Sequence, residues 1–291
     1  MKFSVFTAST PDWSPAEAAQ QLATQGWDGI EWRITDQGDA PAPGFWAGNR
    51  ATWPLDGLEG SLGDIARITA DAGLAFSGIG GYARCDDHRN VDRMLAATAE
   101  LGARQVRVTM PRTDTGVDYR EVFAAARHDI ARAADRAAAL GVKALIELHH
   151  ETITPSASAA FRLVDGLDPA HVGVIHDLGN LVIEGQEDPL AAFQLLGPYF
   201  AHVHVKNVRW VAGPAEDDGT VRWHHEWATL RGGQADVDAY FTALHTFGYD
   251  GWVTAEDFST ELPLRERTAD NLAYLRAVEA RTRDLASAAR S

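Results

Sequence analysis

Short apolar runs alternate with longer amphipathic segments along nearly the whole chain. The first run is Lys2–Ala8, and a helical pattern follows at Pro15–Gln25. Ser14 is a suitable N-cap, and Gly26 is a typical residue for ending a helix. The further predicted strands are Trp27–Ile34, Leu74–Gly80, Gln105–Met110, Val142–His149, Val172–Ile175, Phe200–Val205 and Gly251–Glu256. The further predicted helices include Leu62–Ala72, Val91–Leu101, Tyr119–Leu140, Ser158–Val164, Pro189–Leu196 and Leu264–Ala280.

The strand–helix units follow one another without a linker or a change in composition. The chain has 291 residues, and a (β/α)8 barrel commonly needs roughly 250. The pattern therefore predicts an α/β protein with a single TIM barrel over residues 1–291, rather than an open sheet. Two long connections, at about residues 35–60 and 208–236, are expected to lie over the C-terminal rim of the barrel, as a lid or a docking surface.

Charge and composition narrow the classes of partner. Lys and Arg number 26 against 41 Asp and Glu, which gives a formal charge of −15. A surface of this sign repels phosphate backbones, so no nucleic-acid partner is expected. The chain opens directly on a strand and has no run of roughly 20 apolar residues, which predicts a cytoplasmic protein without a membrane contact. The single cysteine, Cys85, agrees with a reducing compartment.

Polar side chains stand at the ends of the last four barrel strands. Strand five ends near Glu147, strand six at Asp177, strand seven near His204 and strand eight at Glu256. Active sites of such barrels lie at the C-terminal rim, so we expect these four side chains to converge there. Each alone could be a buried polar group or a salt bridge. Together, three carboxylates and one imidazole suit one divalent ion, with Mn²⁺ first and Mg²⁺ or Co²⁺ as alternatives.

Further residues are candidates for substrate contacts or proton transfer. His149 shares a face with the glutamate of its strand and could serve as an extra acid or base. Glu31 and Arg33 on strand two and Arg107 on strand four have inward parity and could form a substrate-binding ion pair, although a buried structural salt bridge is the alternative. Trp46 and Trp210 lie in the long connections, where their rings could stack on a sugar or a flat aglycone, or pack at a subunit interface.

Four motifs resemble those of a known enzyme superfamily. They are IELHH on strand five, HDLGN after strand six, HVHVKN on strand seven and GYDGWVTAED at Gly248–Asp257. These motifs resemble the sugar phosphate isomerase/epimerase superfamily with its xylose-isomerase-like barrel, and the resemblance covers nearly the whole chain. It implies proton transfer next to a carbonyl through a metal-stabilised enediolate, without an organic cofactor. The implied metal ligands are Glu147, Asp177, His204 and Glu256, and the implied acid/base pair is Glu147 and Glu256.

One position departs from the ketose epimerases of this superfamily. Those enzymes carry a histidine three residues after the aspartate, where this chain has Asn180; we expect Asn180 and Lys206 to contact substrate. The first prediction is a sugar isomerase or epimerase. The alternative is a lyase that uses the same enolate for β-elimination from a keto-sugar. Relatives of that kind dehydrate keto-inositol or dehydroshikimate, or act as C-glycoside deglycosidases on 3-oxo-glycosides, and His149 and the Trp-rich loops favour this variant.

The resemblance also bears on partners. It implies a small sugar, keto-sugar or glycoside as substrate, and a homo-oligomer is expected. Deglycosidases pair a similar barrel with a small β-rich subunit, so a hetero-oligomer of that kind is a second option. Apurinic endonucleases share the barrel, but the charge of −15 disfavours DNA. A non-catalytic sugar-binding or assembly barrel remains as a further alternative, which the intact ligand set disfavours.

Overall fold

The fold was obtained as a computed structural model that describes residues 1–114 and 116–288. Parallel strands in this part of the chain pair in sequence order around a circle, and the first strand pairs with the last, Lys2 beside Trp252. The barrel closes its own edges, and the predicted α/β barrel is confirmed. The barrel strands are β1 (Lys2–Phe6), β2 (Gly29–Ile34), β3 (Ala75–Gly81), β4 (Gln105–Arg107), β5 (Lys143–Glu147), β6 (Val172–Asp177) and β7 (Phe200–Val205), with β10 (Trp252–Ala255) closing the circle. Outside the barrel, β8 (Asn207–Ala215) and β9 (Val221–Ala228) pair as an antiparallel hairpin.

Helices cover the outside of the barrel. Helix α1 starts with the predicted cap: Ser14 Oγ accepts the backbone N–H of Glu17, and the Glu17 carboxylate accepts that of Ser14. Gly26 ends α1 with φ of 89°. None of the helices in the described part of the chain combines the length and the apolar character of a membrane span. The helices are α1 (Pro15–Gln25), α2 (Leu58–Asp71), α3 (His88–Glu100), α4 (Tyr119–Leu140), α5 (Ala157–Val164), α6 (Leu178–Glu184), α7 (Pro189–Leu196), α8 (Val237–Phe247) and α9 (Leu264–Ala288).

The main apolar core lies between the barrel and this layer of helices. On β2, Trp32 is fully buried, and its indole N–H donates to Thr69 Oγ1 of α2 at 2.8 Å. On the opposite side, Phe193 of α7 stacks on Phe200 of β7 with ring centroids 4.4 Å apart. Since successive residues of a strand alternate in direction, Glu31 and Arg33 on either side of Trp32 point into the barrel. Phe200 does not set the parity of β7 in this way, because the pairing of β6 with β7 shifts register just after it, and His202 and His204 point inward to Glu31.

Several elements differ from the predicted pattern. Helix α6 begins directly after β6, because Asp177 is both the last residue of β6 and the N-cap of α6. The predicted loop over residues 208–236 is instead mostly the β8–β9 hairpin, in which Asn207 pairs with Ala228. The connection between Ile34 and Leu58 is irregular, as predicted for the other long loop. Predicted starts of α2 and α3 were a few residues late; α2 has no side-chain N-cap that could mark its beginning.

Candidate metal centre and active site

The C-terminal ends of four neighbouring strands bring the predicted metal ligands together. His204 Nδ1 lies 3.4 Å from Glu147 Oε1, 3.8 Å from Asp177 Oδ2 and 4.0 Å from Glu256 Oε2. One ligand atom from each residue lies within 4.8 Å of those of the others. All four side chains are buried. We call this cluster the metal centre; its members are Glu147, Asp177, His204 and Glu256.

Three atoms in the metal centre have no hydrogen-bond partner. They are Glu147 Oε1, Asp177 Oδ2 and His204 Nδ1. Buried polar atoms in proteins are nearly always satisfied, so three that converge on one point indicate a shared partner. A divalent cation fits all three, since each presents a lone pair. The oxygen-rich set with one imidazole and no thiolate fits the preferences of Mn²⁺ or Mg²⁺.

Glu31 lies behind His204, one layer deeper in the barrel. Its carboxylate accepts from His204 Nε2 at 3.2 and 3.3 Å, and from His202 Nε2 at 2.8 Å. In the tautomer with its proton on Nε2, His204 presents the Nδ1 lone pair to the metal centre, as a metal ligand does. Burial alone would lower the pKa of His204, but the carboxylates of Glu31, Glu147 and Glu256 raise it well above its ordinary value, so a bound cation would replace a proton on Nδ1. Burial alone would raise the pKa of Glu31, but the two imidazoles lower it well below its ordinary value. Glu31 is therefore an ionised group that orients the histidine.

Glu31, His202 and His204 are also close enough together to hold an ion. Here, however, the polar atoms of Glu31 and His202 have partners. Gln105 Nε2 donates to His202 Nδ1 at 3.1 Å, and Thr254 Oγ1 lies 3.0 Å from His202 Nε2. This second cluster is a hydrogen-bonded polar layer that supports the metal centre from below; its one unpartnered atom, His204 Nδ1, belongs to the metal centre.

Two cations neutralise part of the carboxylate charge. Arg107 Nη1 donates to Glu147 Oε2 at 2.6 Å, and Lys206 Nζ donates to Glu256 Oε2. Lys206 Nζ also lies 2.9 Å from Asp177 Oδ2, but in a direction that makes no hydrogen bond. Three carboxylates face two permanent cations, so the metal centre favours a further positive charge.

The pKa values of Glu147 and Asp177 respond differently to burial and to the neighbouring charges. Burial would raise the pKa of Glu147, but the guanidinium of Arg107 holds it well below its ordinary value. Burial raises the pKa of Asp177 to about 7; Glu256 and Glu147 act in the same direction, whereas Lys206 opposes them. Glu147 is therefore ionised at neutral pH, and Asp177 is the carboxyl most in need of a cation.

The second carboxylate oxygen of Asp177, Oδ1, caps a helix. Asp177 Oδ1 accepts the backbone N–H of Asn180 at 2.8 Å and so caps α6. The Asn180 side chain turns toward the loop after β5, where its Oδ1 lies 2.9 Å from His150 Nδ1 and its Nδ2 donates to Leu148 O at 3.0 Å. Asn180 thus holds His150 in place.

A cavity of about 690 Å³ opens above the metal centre. This volume falls within the range of small-molecule sites, about 300–1,000 Å³. Trp46 from the connection after β2 lines the cavity, and so do Arg107, Lys206 and His149. The further lining residues are Tyr82, Arg84, Val108, Thr109, Met110, Pro111, Arg112, Asp114, Glu147, His150, Thr152, Trp227, Glu256 and Phe258.

His149 is arranged as a neutral base. Its Nδ1 lies 2.8 Å from the carbonyl oxygen of His150, and with the proton on Nδ1 the lone pair is on Nε2. Burial lowers the pKa of His149, although the Glu147 carboxylate opposes this effect. The ring stacks on His150 at 4.3 Å, and His150 packs edge-on against His225 of β9 at 5.8 Å. The hairpin therefore supports the histidines on this side of the cavity.

Three residues that were predicted to contact substrate do not line the cavity: Trp210, Glu31 and Asn180. Trp210 is outside the cavity wall; its indole N–H donates to Val182 O of α6 at 3.0 Å, a helix that the sequence pattern did not predict. The ion pair suggested among Glu31, Arg33 and Arg107 is wrong in its partners. Arg107 pairs with Glu147, Glu31 pairs with the histidines, and Arg33 donates to Phe45 O and Thr52 Oγ1.

Several lining residues were missed by the sequence reasoning. Tyr82 directly follows β3, and Phe258 comes three residues after the end of β10. Both positions are at the C-terminal rim, where parity and closeness to a strand end would have indicated them. His150 was also missed, because consecutive residues of an extended strand point to opposite faces. The chain leaves the strand at this point, and the two rings stack.

Comparison with known proteins agrees with this architecture. The model of the family described as xylose isomerase-like TIM barrel matches residues 19–278. An inosose dehydratase of Lacticaseibacillus casei is 30% identical over 130 residues, which is 43% of this chain and 43% of the relative. The match therefore spans less than half the length of that curated relative.

Solved structures show the same barrel. L-ribulose 3-epimerase superposes with a TM-score of 0.75 at 17% identity, over 100% of this chain and 99% of the other. A xylose isomerase-like TIM barrel protein from Mycobacterium smegmatis, in complex with magnesium, gives a TM-score of 0.71 at 18% identity over 97% of each chain. At these identities the likeness shows the fold alone. The family model covers most of the chain, and the protein belongs to the xylose isomerase-like TIM barrel family.

Proposed function

We propose that the protein is a divalent-metal-dependent enzyme that isomerises or epimerises a small sugar by moving a proton on the carbon next to a carbonyl. The observation that carries this proposal is the set of three unpartnered buried atoms, on Glu147, Asp177 and His204, beneath a cavity of sugar-binding size. The epimerase of similar fold is consistent with this reaction type.

The residues of the metal centre would hold the ion. When bound, a divalent ion would draw electron density from the carbonyl oxygen of the substrate and so acidify the neighbouring C–H. Mn²⁺ is the first choice for this site, with Mg²⁺ or Co²⁺ as alternatives, and no organic cofactor is proposed. The magnesium complex of a protein with the same fold supports the class of ion.

The two glutamates are positioned to transfer the proton. Each has one oxygen held by a cation, Glu147 by Arg107 and Glu256 by Lys206, which fixes the carboxylate plane. Both glutamates line the cavity, so each can approach a substrate carbon. Removal of the proton by one glutamate and its return by the other, on the opposite face, inverts the carbon. The lowered pKa of Glu147 keeps this carboxylate in the basic form.

A second candidate reaction is β-elimination from a keto-sugar. His149 is the specific observation in its favour, since its free Nε2 could accept the proton from the carbon next to the carbonyl and return it to the leaving oxygen, and this imidazole lines the cavity. The curated relative with the name inosose dehydratase supports the same reaction type. Such a lyase could be a dehydratase or a deglycosidase of 3-oxo-glycosides.

Solvent deuterium uptake tests the proposal and separates the two reactions. The Mn²⁺-loaded protein is incubated in D₂O with ketoses, keto-inositols and 3-keto-glucosides, and the products are followed by NMR. Deuterium beside the carbonyl with a new stereoisomer indicates an isomerase or epimerase, and an enone indicates a lyase. Glu147→Gln and Glu256→Gln should each lower the rate by about 10²–10⁴-fold.

Glu261→Gln is the matched control. Glu261 is an exposed glutamate that pairs with Arg209 outside the metal centre, and its variant should keep the full rate. Full activity in either metal-centre variant would contradict the proposed roles. Sugar binding without deuterium uptake for any substrate would instead favour a non-catalytic binding barrel.

A further inference from the structure

Three aromatic rings line one side of the cavity. Trp46 comes from the connection after β2, Trp227 from the hairpin and Phe258 from the segment after β10. The Trp46 and Phe258 ring centroids are 4.6 Å apart, and those of Trp227 and Phe258 are 5.3 Å apart. We call these three residues the aromatic shelf. Trp46 is 50% exposed, so its ring still presents apolar surface that a ligand could cover.

The aromatic shelf adjoins the metal centre. Lys206 Nζ, which donates to Glu256, lies 5.7 Å from the centroid of Trp227 and 5.8 Å from that of Phe258. Glu256 and the aromatic shelf line the same cavity. A molecule with its sugar at the glutamates would therefore place a substituent of that sugar against these rings.

The charges around the cavity indicate an uncharged ligand. Each cationic side chain among the described lining residues already has a carboxylate partner, so none is left for a phosphate or carboxylate of a ligand. The wall also includes the apolar side chains Val108, Met110 and Pro111. The ion pairs are Arg84 with Asp86, Arg107 with Glu147, Arg112 with Glu151, and Lys206 with Asp177 and Glu256.

We infer that the substrate is an uncharged sugar derivative with a flat apolar substituent, such as an aromatic aglycone, and that the aromatic shelf binds this substituent. The cavity volume of about 690 Å³ suits such a two-part ligand, since it falls in the range of sites for drug-sized molecules. The inference rests on the proposed function for the position of the sugar. Stacking on the rings does not depend on which proton moves.

The test compares two stable glycosides on the Mn²⁺-loaded protein. Binding of phenyl β-D-glucopyranoside and methyl β-D-glucopyranoside is measured by isothermal titration calorimetry. The phenyl glycoside should bind about tenfold more tightly, as expected for one stacked aromatic ring. Trp46→Ala and Trp227→Ala should each remove most of this difference in affinity between the two glycosides.

Trp223→Ala is the matched control. Trp223 also lies on β9, but it is 61% exposed and outside the cavity, so its variant should keep the difference between the glycosides. Equal affinity for the two glycosides in the parent protein would overturn the inference. A change in oligomeric state on Trp46→Ala by light scattering, with unchanged phenyl glycoside binding, would also overturn it, because the ring would then be a subunit contact.

The two proposals can fail separately. Tighter binding of the phenyl glycoside without deuterium exchange on any keto-sugar would support the role of the aromatic shelf and contradict the proposed reaction. Deuterium exchange without any preference between the glycosides would support the proposed reaction and contradict the role of the aromatic shelf.

Discussion

Lys206 offers a direct test of the electrostatics of the metal centre. Its side chain is buried, its Nζ lies 2.9 Å from Asp177 Oδ2, and it donates to Glu256 Oε2. The substitution Lys206→Met keeps an unbranched side chain of similar length and removes the charge. The three carboxylates of the site are then left with Arg107 as their permanent cation.

The expected destabilisation follows from this geometry. Two unit charges 2.9 Å apart attract each other by about 6 kcal/mol at an effective dielectric constant of about 20. Relaxation and water entry reduce this value, and loss of one partner of a buried pair costs about 3–5 kcal/mol. We therefore expect the metal-free Lys206→Met protein to be about 3–5 kcal/mol less stable than the parent protein.

The affinity for metal should rise in this variant, whereas the stability of the metal-free protein falls. The variant lacks an ammonium group that repels a cation, and even about 1.4 kcal/mol of relieved repulsion raises the affinity tenfold. Mn²⁺ should therefore stabilise the variant more than the parent protein, which would narrow the gap between them. Folding of the variant only in the presence of Mn²⁺ would be the extreme form of this result.

Chemical unfolding in urea at pH 8, with EDTA and with increasing Mn²⁺, measures both effects. Lys143→Met is the matched control, because Lys143 is a partly buried lysine at the opposite end of β5 from Glu147; its variant should respond to Mn²⁺ like the parent. Equal stability of Lys206→Met and the parent protein in EDTA, or equal stabilisation of both by Mn²⁺, would refute the reasoning.

Two further substitutions test the support of the metal centre. Glu31→Gln should weaken Mn²⁺ binding about 10–100-fold, because His204 loses the carboxylate that orients it; a calorimetric affinity within twofold of the parent would show that Glu31 has no such role. Gly80→Ala would place a Cβ 2.0 Å from Phe6, whose ring stacks on His204 at 5.8 Å, and should cost about 1–3 kcal/mol of unfolding free energy in urea. Gly63→Ala, on α2 with open space around the new Cβ, is its control and should be about 0.5–1 kcal/mol more stable than the parent protein, because alanine is the better helix former. A Gly80→Ala variant as stable as the parent protein would show that Phe6 can move without cost.

The order of strands and helices could be predicted because local signals mark many boundaries. Helix α1 has its cap at Ser14, and α7 has Pro189 as its first residue. The convergence of Glu147 and Glu256 with the other ligands followed from parity, since parallel strands in a barrel end at one rim. These predictions needed only the chain near each residue and the closed order of the strands.

Contacts across the barrel could not be predicted in this way. The partner of Glu31 is His202, which is 171 positions away along the chain. Their meeting depends on how two non-neighbouring strands face each other after the barrel closes, and no local pattern encodes this. Trp210 was misassigned for a related reason, because its partner is on α6. That helix begins without a turn that would have signalled it.

The divided role of Asp177 limits how this centre can be redesigned. Asp177 Oδ1 caps the N-terminus of α6, and Asp177 Oδ2 faces the metal centre. Asparagine at this position would keep the helix start but lose the charge, and glutamate would carry the carboxylate one methylene beyond the amide it caps. Histidine would leave that amide without an acceptor. A designer who wishes to move the centre toward softer ions by adding imidazole ligands would therefore have to change Glu147 or Glu256 and keep the aspartate.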